Sequence, residues 1–382
     1  MSLTDIIRRN IKDFGPISFK EFMNLALYHE KYGYYRQSTF PAGGNADFVT
    51  SPHTCRLFGA VMANQIVEFA RFVLDDNGNR PFTIVEMGAG AGYLARDIIS
   101  ALEDFHKGFA DYKYCIVEPF KETRKIQRDT LGELLKKVSW YKTISEIERF
   151  SGCVISNELL DSFPVNIVQK ERHGWYELYV DNVPDHNRFT YISMPISDPF
   201  LKEYISNFPA DLPLDYRTEV NTDIRQWLSD INARMDKGFV LTIDYGYSRE
   251  EYLMPHRNRG TLLGYHLQSV VDDVLISPGS IDITAHVNFS DLVRWGEDIG
   301  FSAIGYAPQY AFLGGLDFED TFKKLYGQID PFSPEMAAVK MLIMPQAMGE
   351  SHKVVVQSKD ISCSDINLSG FGFVNHISML RN

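Results

Sequence analysis

The segment that most restricts the fold of this chain is Ile84-Val85-Glu86-Met87-Gly88-Ala89-Gly90-Ala91-Gly92-Tyr93-Leu94. An apolar run enters three glycines and continues with Leu94, Ile98, Ala101 and Leu102 at helical spacing, which predicts strand, tight turn and helix. Glycines at the carboxyl end of a strand permit positive φ and let a ligand approach the backbone, as in open α/β sheets that bind nucleotide cofactors. The spacing is G-x-G-x-G, and Tyr93 stands where the dinucleotide pattern G-x-G-x-x-G has its third glycine. Glu86 lies inside the strand, just before the glycines. A carboxylate there is ill placed beside a pyrophosphate but suits a cofactor carrying an ammonium and a sulfonium. S-adenosylmethionine carries both.

Glu118, in the run YCIVEP, follows Gly92 by 26 residues. At the end of a second strand it is placed to accept from both ribose hydroxyls, a role common to nicotinamide and S-adenosylmethionine sites. The plain alternative is a glycine turn that only joins a strand to a helix. A third block, Asn157-Glu158-Leu159-Leu160-Asp161-Ser162-Phe163-Pro164, follows the apolar run Cys153 to Ser156. If it begins a helical turn, Glu158 and Asp161 share a face and can grip a guanidinium in its fork geometry. An N-capping acid beside a solvated one is the alternative.

Apolar runs at 82–87, 112–118, 153–156, 239–244, 303–306 and 353–357 alternate with helical periodicity, the pattern of a parallel sheet with crossover helices. Ahead of them, Ser18 and Glu21 read as a capping box for a helix burying Phe19, Phe22, Met23, Ala26 and Leu27. Ser51-Pro52 reads as the start of a second helix that ends near Asp75. Between Pro164 and Lys237 the chain is too long for a simple crossover. There GWYELYV reads as a hairpin strand and RTEVNTDIRQWLSDINARM as a helix. The expected organisation is an N-terminal helical segment (1–80), a core (81–164 and 237–358), an insertion (165–236) and a C-terminal tail (359–382).

Composition narrows the function. The charge is 38 minus 50, or −12, with a pI near 5.3, which argues against nucleic-acid binding by counterion release. The four cysteines, Cys55, Cys115, Cys153 and Cys363, form no cluster with histidines, so neither a disulfide framework nor a metal site is expected. No apolar run is long enough to span a membrane, and the N-terminus has no signal or transit pattern. A bacterial cytoplasmic location is therefore expected, or the mitochondrial matrix for a chain whose presequence has been removed.

The ordered blocks HEKYGYY, GGNADFVTSP, VEMGAGAGYLARDI, NELLDSFPV, LTIDYG, DITAHVNF, PQYAFL and MGESHKVVVQSK run through nearly the whole chain. In these it resembles the MidA-like S-adenosylmethionine-dependent methyltransferases, a family with a member in mitochondrial complex I assembly that methylates arginine. The resemblance implies a class I (Rossmann-like) α/β fold with a seven-stranded, mostly parallel sheet whose last strand is antiparallel. It implies that Glu86, Gly88, Gly90, Gly92, Glu118 and Asn157 bind the cofactor. The loop Asp47 to Pro52 would approach that site, and the block at 157–161 would supply the acceptor pocket. His53 departs from the glutamate often found after TSP in the family, which removes any carboxylate role there.

The implied reaction is methyl transfer to an arginine of a partner protein, a respiratory-complex subunit among the candidates, with a homodimer as one expected assembly. Glu158 is the first candidate to orient the guanidinium and take its proton, and Asp161 the second. Asp244, Tyr245 and Asp282 are further candidates, and His286 would relay a proton or pack a substrate wall. A small-molecule O- or N-methyltransferase, or an assembly factor with little catalysis, are the competing expectations, because the fold does not specify its acceptor.

Overall fold

The glycine turn begins at the end of strand β1 (Phe82–Met87) and runs into helix α2 (Tyr93–Phe105), which follows the earlier helix α1 (Arg56–Val73). This computed structural model describes residues 2–36, 55–74, 81–109, 111–183, 188–266, 269–362 and 366–381. The expected functional loop at 47–53, the cap at Ser51, and Cys363 lie outside them. Strands β2 (Tyr112–Val117), β3 (Val138–Tyr141), β4 (Phe150–Asn157), β5 (Met235–Tyr247), β6 (Ser302–Pro308) and β7 (His352–Lys359) complete a continuous path in the order β6-β7-β5-β4-β1-β2-β3. Neighbours from β5 to β3 are parallel, and β7 runs antiparallel to both β5 and β6. An eighth, two-residue strand joins off this path, so the sheet has one strand more than the seven expected.

Tertiary contacts divide the chain into two units. One comprises Val49–Leu159, Trp227–Gly246 and Phe289–Asn382 and contains the parallel strands. One face of its sheet is covered by α1 and α2, whose apolar stripes pack on Phe82, Ile84, Tyr114, Ile155, Phe239 and Leu241. Phe69 of α1 stacks on Phe239 of β5 with ring centroids 4.2 Å apart. Leu94, Ile98, Ala101 and Leu102 are all buried, as their spacing requires. The edge strand β3 was not anticipated; its sequence VSWY is only four residues long.

The other unit comprises Met1–Phe48, Leu160–Gln226 and Tyr247–Asn288. It holds a five-stranded sheet built from Ile17–Ser18, Asn166–Glu171, Gly174–Asn182, Phe189–Pro195 and Arg217–Val220, and a three-stranded one from Leu263–His266, Ser269–Val271 and Asp282–Thr284. Both are antiparallel. Two N-terminal helices pack on their apolar faces. Ser18 caps Phe19–Tyr28 by accepting from the Glu21 amide, and Ser2 with Asp5 forms a full capping box for Leu3–Phe14.

This division differs from the sequence expectation at three places. Residues 247–288 are expected in the core, yet Leu263–His266, Ser269–Val271 and Asp282–Thr284 pair with one another in the unit that holds the inserted sheet, and of the strands in this stretch Val287–Asn288 joins the parallel sheet. Residues 56–73 were grouped with the N-terminus, yet α1 buries its stripe on the parallel sheet. The helix expected from Arg217 begins only at Asp223, because Arg217–Val220 pairs with Asn166–Gln169 as a strand.

Candidate active site

Strand order reverses between β1 and β4: the chain steps outward one way through β1, β2 and β3 and the other way through β4 and β5. In such sheets the ligand crevice opens at the carboxyl ends of the two strands flanking the reversal. The glycine turn leaves β1 at this point, and Asn157 and Glu158 leave β4 beside it, with Met87 opposite Ser156.

Each glycine of the turn has left-handed backbone, with φ of 76° at Gly88, 50° at Gly90 and 87° at Gly92. Their surroundings differ. A Cβ on Gly88 would press on Leu159 at 2.8 Å, and one on Gly92 would approach Gln127 Cα at 3.2 Å, whereas nothing lies within 4 Å of the same point on Gly90. Two of the glycines therefore serve packing as well as backbone shape, and the middle one presents bare backbone to open space.

Glu86 is buried, and its Oε2 accepts a hydrogen bond from the Tyr114 hydroxyl at 2.7 Å. Burial pushes its carboxyl from the ordinary 4.5 up to about 7, and the Tyr114 bond opposes this only in part. Glu118, just beyond β2, is also buried; its Oε1 accepts from the Phe120 amide at 2.9 Å. Arg124 Nε donates to the Glu118 carbonyl at 2.6 Å. Gln127, missed in the sequence, reaches the glycine turn and Glu118 together. Its signal was the stripe Thr123, Gln127, Leu131, all buried on helix α3 (Lys121–Leu131).

Glu158 has a φ of 49° although it is not glycine. Strain of this kind persists where the surroundings hold it, and it concentrates at functional sites. Here the Glu158 amide donates to the Ile243 carbonyl at 2.8 Å, and Asn157 Nδ2 donates to Glu158 Oε1 at 3.3 Å. His352, the first residue of β7, places Nε2 3.5 Å from the same oxygen, and both side chains are buried. It also packs edge-on against Tyr245, ring centroids 5.6 Å apart. Nothing in the sequence of the block MGESHKVVVQSK distinguishes His352; only the pairing of β7 with β5 brings Tyr245 opposite it.

The expectation that Glu158 and Asp161 share a helical face fails, because the left-handed residue interrupts the run and the helical turn spans only Leu160–Ser162. Asp161 belongs to the other unit, where it is buried and its carbonyl accepts from the Ala285 amide at 2.9 Å. In the same unit Tyr35 donates to Asp282 Oδ1 at 2.8 Å, and burial followed by the nearby Asp282 charge pushes the Tyr35 hydroxyl well up. His286 packs its ring against Tyr247, centroids 5.2 Å apart, and its backbone amide donates to Thr261 Oγ1 at 3.1 Å. Asp244, on β5, is fully buried and accepts from the Tyr245 amide at 2.9 Å.

Residues 61–307 match the model of the family described as "Putative S-adenosyl-L-methionine-dependent methyltransferase", which is more than half of the chain. The chain belongs to this family. Within the S-adenosylmethionine-dependent methyltransferases, it is 30% identical to a Burkholderia thailandensis protein solved bound to S-adenosyl-homocysteine. That likeness covers 98% of this chain and 95% of the other, with a TM-score of 0.87. It is 27% identical to the rat Protein arginine methyltransferase NDUFAF7, mitochondrial, over 89% of this chain and 80% of that one. To the human protein of that name it is 26% identical, over 89% and 79%. The chain is thus a methyltransferase, and its cofactor is S-adenosylmethionine. The residues around β1 and β2 fit that group: a bare glycine backbone, a buried acid with one side-chain donor among the described residues, and a second acid oriented by the chain. No helix among the described residues is long and apolar enough to cross a membrane.

Proposed function

We propose that this methyltransferase acts on the guanidinium of an arginine in a partner protein, with a respiratory-complex subunit as the leading substrate class. The observation that carries the reading is Glu158, held in left-handed backbone at the strand reversal, with Oε1 facing Asn157 and His352. The arginine named for the mitochondrial relatives supports it.

In this reading the backbone of Gly88, Gly90 and Gly92 lines the cofactor, Glu86 faces the cationic methionine end, Glu118 takes the ribose hydroxyls, and Asn157 closes the floor. The cofactor, when bound, supplies a methyl group on a sulfonium, open to in-line displacement. The chain's task is alignment and a reactive acceptor. A guanidinium is cationic at neutral pH, with a pKa above about 12. The Glu158 carboxylate orients it, draws positive charge toward the nitrogens it binds, and takes the proton that the methylated nitrogen gives up. His286, against Tyr247, is assigned to packing.

The test supplies isotopically methyl-labelled cofactor and a protein lysate to the wild type and to Glu158→Gln. The expected result is label on protein arginine that disappears in the variant, while S-adenosylhomocysteine binds both proteins alike. Label confined to a small metabolite, or full turnover by the variant, overturns the arginine reading.

A further inference from the structure

Gln127 is fully buried in α3, and its side-chain amide has neighbours on three other parts of the chain. Trp140 of β3 donates its indole N–H to Oε1 at 2.9 Å. Nε2 donates to the Gly90 carbonyl at 3.0 Å and to Glu118 Oε2 at 3.4 Å. An indole nitrogen can only donate, so the Trp140 bond fixes which way the amide is turned. Oε1 faces β3, and both protons of Nε2 are directed to acceptors at the glycine turn and at Glu118. The indole is itself braced, with the Arg128 guanidinium 5.0 Å above its ring. The remaining oxygen of Glu118 is held by the Phe120 amide, so both carboxylate oxygens are engaged by the chain.

We propose that Gln127 is a positioning residue for the cofactor, a three-way tie that sets the Glu118 carboxylate and the Gly90 peptide in place before S-adenosylmethionine arrives. The inference rests on the reading of Glu118 as the ribose acid. Gly90 is where the turn presents bare backbone, and its carbonyl is the one Gln127 holds. A turn of three left-handed glycines is intrinsically permissive, and a carboxylate side chain has rotamers to lose on binding. A buried double donor restricts both at once, so less ordering is left for the binding step. Glutamine suits the position because it combines one acceptor, required by Trp140, with two donors on one rigid plane. Residues that brace a binding group in this way influence affinity without touching the ligand.

Calorimetric titration with S-adenosylhomocysteine and with its 2′-deoxy analogue, at pH 8, tests the proposal on wild type, Gln127→Glu, Gln127→Met and Glu118→Gln, with melting curves for each. Gln127→Glu keeps the size and the acceptor for Trp140 and replaces the donors with a carboxylate facing Glu118, and Gln127→Met removes donors and acceptor without adding charge. Each is expected to bind S-adenosylhomocysteine about tenfold more weakly, the scale of a lost hydrogen bond to a charged group. Each should also lose much of the preference for the ribose over the 2′-deoxy compound, approaching Glu118→Gln. A lowered melting temperature with wild-type affinity and preference in the folded variants overturns the proposal and leaves Gln127 a packing residue. Wild-type affinity in Glu118→Gln overturns the ribose reading beneath it, an outcome separate from that of the Gln127 variants.

Discussion

Each unit buries two glutamates among its described residues, and one from each, Glu219 and Glu86, are treated differently. Glu219, in the unit with the antiparallel sheets, accepts on Oε2 from the Thr261 amide at 2.8 Å, the Thr261 hydroxyl at 3.0 Å and the Tyr252 hydroxyl at 3.3 Å. Thr261 in turn accepts from the His286 amide, so this acid cross-links strand, loop and the segment at 282–288. Glu86, at the mouth of the parallel sheet, has among the described residues the Tyr114 hydroxyl as its side-chain donor. Burial raises the carboxyl of both, most of all through lost hydration. The unit around Glu219 replaces much of that hydration with its own donors, whereas the surroundings of Glu86 replace little. Three donors of its own unit hold Glu219 Oε2, whereas in the proposed reading Glu86 meets the cationic end of the cofactor.

The largest effect should come from Glu219→Ala, which strands the Thr261 and Tyr252 donors without water. Chemical denaturation is expected to show a loss of about 3 kcal/mol or more. A loss below about 1 kcal/mol would contradict the structural role.

Glu86→Gln should do the opposite. Burial lifts Glu86 above its unfolded value of 4.5 to about 7, so the unfavourable contribution is absent below pH 4.5, grows as pH rises toward 7 and is constant above. The amide keeps an acceptor for Tyr114 and carries no charge. Stability at pH 8 is expected to rise by up to about 3 kcal/mol, from 1.36 kcal/mol per pKa unit, with no gain at pH 4.5. Equal gains at both pH values would show that charge is not the cause.

The smallest effect is a proton count. With its carboxyl raised to about 7 and, in the proposed reading, facing the cationic methionine end, Glu86 should release up to about half a proton when S-adenosylmethionine binds near pH 7. Calorimetry in buffers of different ionisation enthalpy reads this release, which should vanish in Glu86→Gln. Buffer-independent heats in the wild type would separate Glu86 from the cofactor.

Much of this site was legible because it is local. The glycine turn, Glu86 before it and Glu118 at the next strand end follow from strand and helix periods over short stretches. Gln127 and His352 were passed over for a different reason: each is one polar residue in an ordinary element, and its value lies in partners 37 and 194 residues away, at Gly90 and Glu158. The pairing of Glu158 with Asp161 misled because a spacing of three implies a shared face only where the backbone stays helical.

The sequence alone determined the parallel sheet, the glycine turn and the acids at its strand ends, since these rest on side-chain period and on the φ freedom of glycine. Tertiary structure alone decided that the strands at 263–266, 269–271 and 282–284 pair among themselves, that Glu158 adopts left-handed backbone, and that among the described residues buried Glu86 has one side-chain donor while Glu219 Oε2 has three. Those outcomes depend on which distant segments supply donors and exclude water, and no local pattern encodes them.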